Sequence, residues 1–184
     1  MSTNFEVEIL KHPTEEDWML CKKCTLVTVG KDSDKSPTEE WKKKILRARH
    51  SPIRTLEFCF RLNNIPSWVS VHLCRHVHSV PFVKTQRSDR NGGHDRGTDR
   101  QDTPVNMCWL VNAEELMVIA NKRLCRQASY ETRQVVQAVC EAVIKVNPEF
   151  AEFLVPMCYW KNGKCDEFNC CGLNKQYLGG EANE

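Results

Sequence analysis

Hydrophobic and polar positions alternate from the start of the chain. Phe5, Val7 and Ile9 alternate with Glu6 and Glu8, which predicts an opening strand over Asn4 to Leu10. Pro13 to Asp17 reads as a turn into Trp18-Met19-Leu20, followed by Cys21-Lys-Lys-Cys24 and a β-branched run from Thr25 to Val29. Ser36-Pro37-Thr38-Glu39 has the form of a capping box with Pro at the first helical position, so a helix is predicted there. Trp41, Ile45 and Ala48 form its buried side and Lys42, Lys43, Lys44 and Arg47 its solvated side, with Arg49 and His50 at its end. Arg54 to Leu62 alternates again, with Leu56, Phe58, Phe60 and Leu62 on one face of a strand. Pro66 then suits the first turn of a helix whose stripe is Ile65, Val69, Leu73 and Val77. On that helix His72, Arg75 and His76 fall at i, i+3 and i+4 and project together. With Lys84, Thr85, Gln86, Arg87 and Ser88 following, the segment is placed to receive an anion.

The periodicity lapses from Lys84 to Asp102, a stretch with Gly92-Gly93, balanced Arg and Asp, and no large apolar side chain. It reads as a solvated loop, His94, Arg90 and Arg96 included. Asn112 and Glu115 signal a helix N-terminus, with Leu116, Ala120 and Leu124 as its buried stripe. Ser129 to Val146 is a long amphipathic helix through Val135, Val136, Val139, Val143 and Val146. Phe150, Phe153 and Leu154 still pattern as core, after which the chain becomes cysteine-rich, and Leu178 to Glu184 is expected to fray. The expected architecture is a single α/β (α+β) domain over residues 1–156, a central mixed or antiparallel sheet flanked by helices, with a cysteine-rich tail over residues 157–184.

Composition narrows the function classes. A chain of 184 residues has length enough for one core. A net charge of +2 gives no polyelectrolyte argument for nucleic acid. No apolar run reaches membrane-spanning length and the N-terminus lacks a basic-then-apolar leader pattern, so the expectation is a cytoplasmic protein without membrane contact. Of the 11 cysteines, Cys59, Cys74, Cys108, Cys125 and Cys140 lie within apolar periodic segments and read as small hydrophobes. Cys21, Cys24, Cys158, Cys165, Cys170 and Cys171 together supply enough thiolates for a tetrahedral zinc, but at no standard spacing; packed or free thiols are the simpler reading.

The chemistry-bearing residues bind and polarise rather than attack. There is no nucleophile elbow, no phosphate-binding glycine loop and no His-Glu-x-x-His. Arg, His, Thr, Gln and Asn recur instead, which suits chemistry carried by a cofactor. Arg75-His76-Val77, then Thr85 and Arg87-Ser88, resemble the signature of the flavin-dependent thymidylate synthases: Arg-His-Arg, seven residues, Ser, then Arg-Tyr. Val77 stands in place of the third basic residue and Ser88 in place of the tyrosine. Trp109 to Thr132 is similar to that family's later helix pair, matching it at Asn112, Asn121, Arg123, Tyr130 and Glu131 without a gap. Glu114 occupies a place where the family carries a basic residue, and the resemblance spans about Arg49 to Val146.

The resemblance implies methylation of deoxyuridylate to thymidylate, with methylenetetrahydrofolate as carbon donor, reduced FAD as hydride source and NADPH as reductant of the flavin. It places His72, Arg75, Thr85, Gln86, Arg87 and Arg100 around the pyrimidine deoxynucleotide, with Arg96 as the second choice for the role of Arg100. Arg123 takes the uracil edge and the catalytic role; Arg49 or His50, with Ser51, Arg75, His76, Val77 and Asn112, takes the flavin. It also implies a homotetramer with active sites between subunits. Two other readings stand beside it: a divergent flavoenzyme acting on another pyrimidine nucleotide, and a zinc-stapled nucleic-acid-binding module without enzymatic activity.

Overall fold

The computed structural model describes residues 4–177; the fraying expected at Leu178 to Glu184 lies outside them. Four strands, β1 (Glu6–Lys11), β2 (Glu57–Pro66), β3 (Ser79–Val83) and β4 (Pro104–Asn112), form one sheet in the order β1-β2-β4-β3. Every pairing is antiparallel, which resolves the expected mixed-or-antiparallel sheet to the second form. The α-helices among the described residues are α1 (Glu15–Val27), α2 (Glu39–Ala48), α3 (Ser67–Cys74), α4 (Ala113–Arg123), α5 (Tyr130–Val146), α6 (Met157–Trp160) and α7 (Leu173–Tyr177).

The alternation in the sequence becomes the two faces of the sheet. Phe58, Phe60 and Leu62 of β2 and Val105, Met107, Trp109 and Val111 of β4 point inward and are buried. Phe60 pairs with Trp109 and Leu62 with Met107, so aromatic and aliphatic side chains meet across the central strands. Val135, Val136, Val139 and Val143 of α5 join this core, as do Phe150 and Phe153. Phe58 meets Phe150 edge-on at 5.3 Å between ring centroids. The opposite face carries Cys59, Arg61 and Cys108, and at the β3 edge Val80 and Phe82 remain exposed.

Several elements begin or end elsewhere than the pattern predicts. Thr14 caps α1 through a full capping box with Asp17, and the helix continues through the β-branched run as far as Val27. Thr38, not Ser36, caps α2 by accepting from the Trp41 N–H. Lys42 is only 3% exposed, against its assignment to the solvated face. Its ammonium donates to Glu15 and Glu39 and lies over the Trp18 ring, so the charge is matched while the stem packs. Ala48 is exposed instead.

The strand predicted from Arg54 starts only at Glu57, because Ser51–Thr55 closes a 3-10 turn. It then runs past Leu62 through a register shift at which Asn64 adopts φ 58° and its N–H is taken by Asn106 Oδ1. Ile65 therefore belongs to β2, and α3 begins at Ser67 after Pro66. The helix stops at Cys74, so the four-residue stripe does not reach Val77, which is 82% exposed. The next turn is closed by Ser79, whose N–H and hydroxyl both donate to the His76 carbonyl.

Candidate functional site

The end of α3 and the body of α4 bring the candidate chemistry together. Asn112 caps α4 as expected, its Oδ1 accepting the Glu115 N–H at 3.0 Å. The same helix then presents Glu115 and, two turns later, Arg123. Arg123 Nε donates to His76 Nε2 at 3.0 Å, and its Nη2 donates to the His72 carbonyl at 3.2 Å. His76 Nδ1 lies 3.0 Å from Glu115 Oε1. Because Nε2 accepts from arginine, the neutral ring carries its proton on Nδ1 and donates it to Glu115. The order is carboxylate, imidazole, guanidinium.

Electrostatics favour the neutral ring. Burial and the adjacent Arg123 charge push His76 below the usual imidazole range, against the pull of Glu115. His72 is lowered by burial and by the charges of Arg123 and Arg75. Its Nδ1 sits 2.9 Å from the Thr132 hydroxyl, which in turn takes a hydrogen bond from Ser129 at the start of α5. Arg123 is itself lowered by burial and by Arg75, yet a guanidinium stays charged at any working pH. A fixed cation thus stands against two neutral imidazoles, with the exposed Arg75 nearby.

One cavity adjoins this cluster, sharing Glu115 with it, and a second lies at the far end of the β3–β4 pair. The first, of about 320 Å³, lies beside the N-terminus of α4 and is lined by Arg54, His78, Asn112, Glu114 and Glu115. Glu114 is held by Arg54 in an ion pair, so its charge is offset. The other, about 460 Å³, lies at the base of the 84–103 loop and includes Lys84, Thr85, Gln86, His94 and Asp99. Arg87 and Arg100 sit on the same loop in exposed pairs with Asp89 and Asp102. Exposed pairs of this kind are weak because solvent screens them, so an incoming phosphate can compete for either arginine. Arg96 has no ion-pair partner among the described residues.

The candidate flavin residues do not all meet. Arg75, His76 and Asn112 cluster around α3 and α4, while Val77 points outward. Arg49 turns the other way. It adopts φ 50°, donates to Asn121 Oδ1 at 2.5 Å, and stacks its guanidinium 4.8 Å over the Trp160 ring. His50 and Ser51 lie exposed at the 3-10 turn. Asn121 is fully buried and also donates to the Val155 carbonyl, so it ties α4 to the chain ends around it. Pattern reading missed Glu115 as a partner of His76 and Thr132 as a partner of His72. Glu115 was visible only as a capping residue, and no local spacing links residue 132 to residue 72.

The cysteines fall into separate groups. Cys21 is buried in α1 beside Thr55 and its thiol is pushed up to about 12 by burial. Cys59 and Cys108 approach to 3.7 Å on the open sheet face. Cys125, assigned to the apolar set, is buried and lies 3.9 Å from Cys171 of the tail, whereas Cys74 of the same set is exposed.

Comparison with known proteins fixes what this scaffold is. The fold matches "Thymidylate Synthase X (ThyX) from Helicobacter pylori with FAD and dUMP", with a TM-score of 0.64 at 12% identity over 84% of this chain and 99% of that one. This is the thymidylate synthase X fold. A UMP/dUMP methylase, PolB from Streptomyces cacaoi, bound with 5-Br dUMP, matches with a TM-score of 0.63 at 15% identity over 83% of this chain and 97% of that one. The profile of the thymidylate synthase complementing protein family (Thy1) matches residues 100–149, the stretch that holds β4, α4 and α5. No curated protein matches the chain by sequence. The resemblance of the thymidylate synthase X signature therefore coincides with the fold. No helix among the described residues is long and apolar enough to cross a membrane.

Proposed function

We propose that the chain is a flavin-dependent methyltransferase that converts deoxyuridylate to thymidylate. The observation that carries this is the meeting of the two signature blocks: Arg123 reaches across to His76 and His72, residues 47 and 51 positions away in sequence. The methylases sharing the fold act on dUMP or are bound to it, which supports a pyrimidine nucleotide as substrate.

In this reading Arg123 lies against the uracil edge. Its charge favours the N3 anion and raises the nucleophilicity of C5, and the neutral ring of His76 and the backbone carbonyl of His72 hold the guanidinium without cancelling it. Arg75, Arg87 and Arg100 supply bidentate donors to the nucleotide phosphate, with Thr85 and Gln86 lining the adjacent cavity. The flavin fits the α4 side, where Asn112 and His78 line a cavity, Glu114 is neutralised by Arg54, and Arg75 is exposed for a diphosphate. FAD, when bound, supplies the hydride; methylenetetrahydrofolate and NADPH are the expected co-substrates. Val71, Val77, Val80 and Phe82 are exposed around the same edge, which supports burial between copies in a homotetramer.

The test is to reconstitute the purified chain with FAD, record the flavin spectrum with and without deoxyuridylate, and assay thymidylate formation with both co-substrates. A nucleotide-dependent flavin shift with product supports the reading. No flavin uptake and no nucleotide-dependent thermal shift would overturn it. PolB, by its description, also takes UMP, so uridylate belongs in the same assay as the second candidate substrate.

A further inference from the structure

Glu115 is an unusual residue for its place in α4. It is buried at the third helical position, and its N–H is already taken by the Asn112 cap. An acidic side chain at this position ordinarily reaches back to the N–H of the capping residue. Asp17 of α1 does so, accepting the Thr14 N–H at 2.8 Å. The Glu115 carboxylate turns instead to His76, its Oε1 lying 3.0 Å from Nδ1. Both side chains are enclosed, at 9% and 10% exposure. A carboxylate withdrawn from water needs a matched donor, and here the imidazole is that donor.

The chain around His76 fixes its backbone but not its ring. The His76 N–H bonds the Leu73 carbonyl, and its own carbonyl takes the N–H and hydroxyl of Ser79. Two side-chain contacts then hold the ring: Nδ1 to Glu115 and Nε2 to Arg123. The opposite tautomer would set an Nε2 proton against the Arg123 Nε proton and leave Glu115 without a donor. Burial, Arg123 and Arg75 all act to keep the ring neutral, while Glu115 pulls the other way.

Arg123 is held along one side only. Nε donates to His76 and Nη2 to the His72 carbonyl, so both anchors use the same edge of the planar guanidinium. Nη1 has no hydrogen-bond partner among the described residues. The end of the fork, Nη1 with the second Nη2 proton, is therefore the part left for a ligand. If the His76 ring swings away, one anchor remains and the guanidinium can pivot about it.

We propose that Glu115 is a positioning residue for Arg123: by holding His76 Nδ1 it fixes the ring that anchors Arg123 Nε, and so aims the free end of the guanidinium at the substrate. This role rests on the methyltransferase reading above, in which Arg123 meets the uracil edge. Glu115 touches no reacting atom and acts through His76.

The test uses the full chain reconstituted with FAD. Glu115→Ala is expected to lower kcat about 10-fold or more, the scale of a misaimed catalytic group, with flavin retention unchanged. Glu115→Gln keeps an oxygen that accepts from Nδ1 and is expected to recover most of that loss. In an Arg123→Ala background, Glu115→Ala is expected to change kcat less than about 2-fold, because the group it acts on is gone. Nitrogen-15 imidazole spectra of the unmutated chain at about pH 7.5 are expected to show His76 protonated at Nδ1, a readout that needs no variant to fold. Undiminished kcat in Glu115→Ala, equal losses in Glu115→Ala and Glu115→Gln, a loss that persists in full without Arg123, or a His76 proton on Nε2 would each overturn the role of Glu115. No thymidylate from the unmutated chain would overturn the activity itself and this role with it, so the two failures are distinct.

Discussion

Arg123 and His76 are joined by a hydrogen bond whose direction assigns the imidazole tautomer. Nε of the arginine donates at 3.0 Å, so Nε2 of the histidine is unprotonated and Nδ1 faces Glu115. This single contact connects the end of α3 to the end of α4. It makes the positive charge on Arg123 a fixed feature rather than one end of a salt bridge, because its described partners are a neutral ring and a carbonyl.

Arg123→Ala is expected to reduce turnover about 100-fold or more, the scale seen when a donor to developing negative charge is removed. It also leaves His76 Nε2 without its partner, at a cost of about 1–3 kcal/mol for a buried polar group. Steady-state kinetics with a parallel thermal melt separate the two effects. Undiminished turnover would sink the assigned role.

The histidines predict a sign for the pH dependence. His72 and His76 are both lowered in the folded chain, while in the unfolded chain they titrate near the ordinary value of about 6.5. The unfolded state therefore binds more protons between the folded and unfolded values. Stability is fully present above about pH 6.5 and falls as pH drops toward the folded values. Urea midpoints at about pH 7.5 and about pH 5.5 should differ, and His76→Asn should reduce the difference. An unchanged difference in that variant would remove His76 from the account.

Asn121 is expected to be a structural residue. It is fully buried, accepts from Arg49 and donates to the Val155 carbonyl at 2.7 Å. Asn121→Ala leaves both partners unsatisfied and should cost about 2 kcal/mol or more in chemical denaturation. Asn121→Asp keeps the acceptor for Arg49 but loses the donor to Val155, and should fall between.

Lys42 offers a contrast between charge and packing. Lys42→Met keeps most of the buried stem over Trp18 and should cost less than about 1 kcal/mol, because its carboxylate partners are exposed. Lys42→Ala removes the stem as well and should cost about 1–2 kcal/mol more. Equal losses in the two variants would show that the ion pairs, not the stem, hold this contact.

The parts legible in the sequence are those governed by local rules. Alternation placed Phe58, Phe60 and Leu62 on the core face, the Asn112 cap placed the start of α4, and the amphipathic pattern from Ser129 placed α5. The α3 stripe misled because four-residue spacing also arises when a strand residue, Ile65, and a turn residue, Val77, flank a short helix. Lys42 misled because a lysine stem packs as well as an apolar one once carboxylates collect its head. At the site, His72, His76 and Arg123 were each visible as candidates. Their mutual bonds, and the roles of Glu115 and Thr132, depend on helix packing across 39 to 60 positions of sequence, which no spacing rule reaches.

The loop between β3 and β4 is moored at both ends. Lys84 N–H bonds the Asn106 carbonyl and Ser67 N–H bonds the Thr103 carbonyl, while the residues between contribute no large side chain to the core. Under the proposed function, ligand preference and folding fall to different stretches of one chain. Changes within the loop would then retune the proposed nucleotide grip without touching the sheet, so selectivity could drift while thermal stability stays nearly constant.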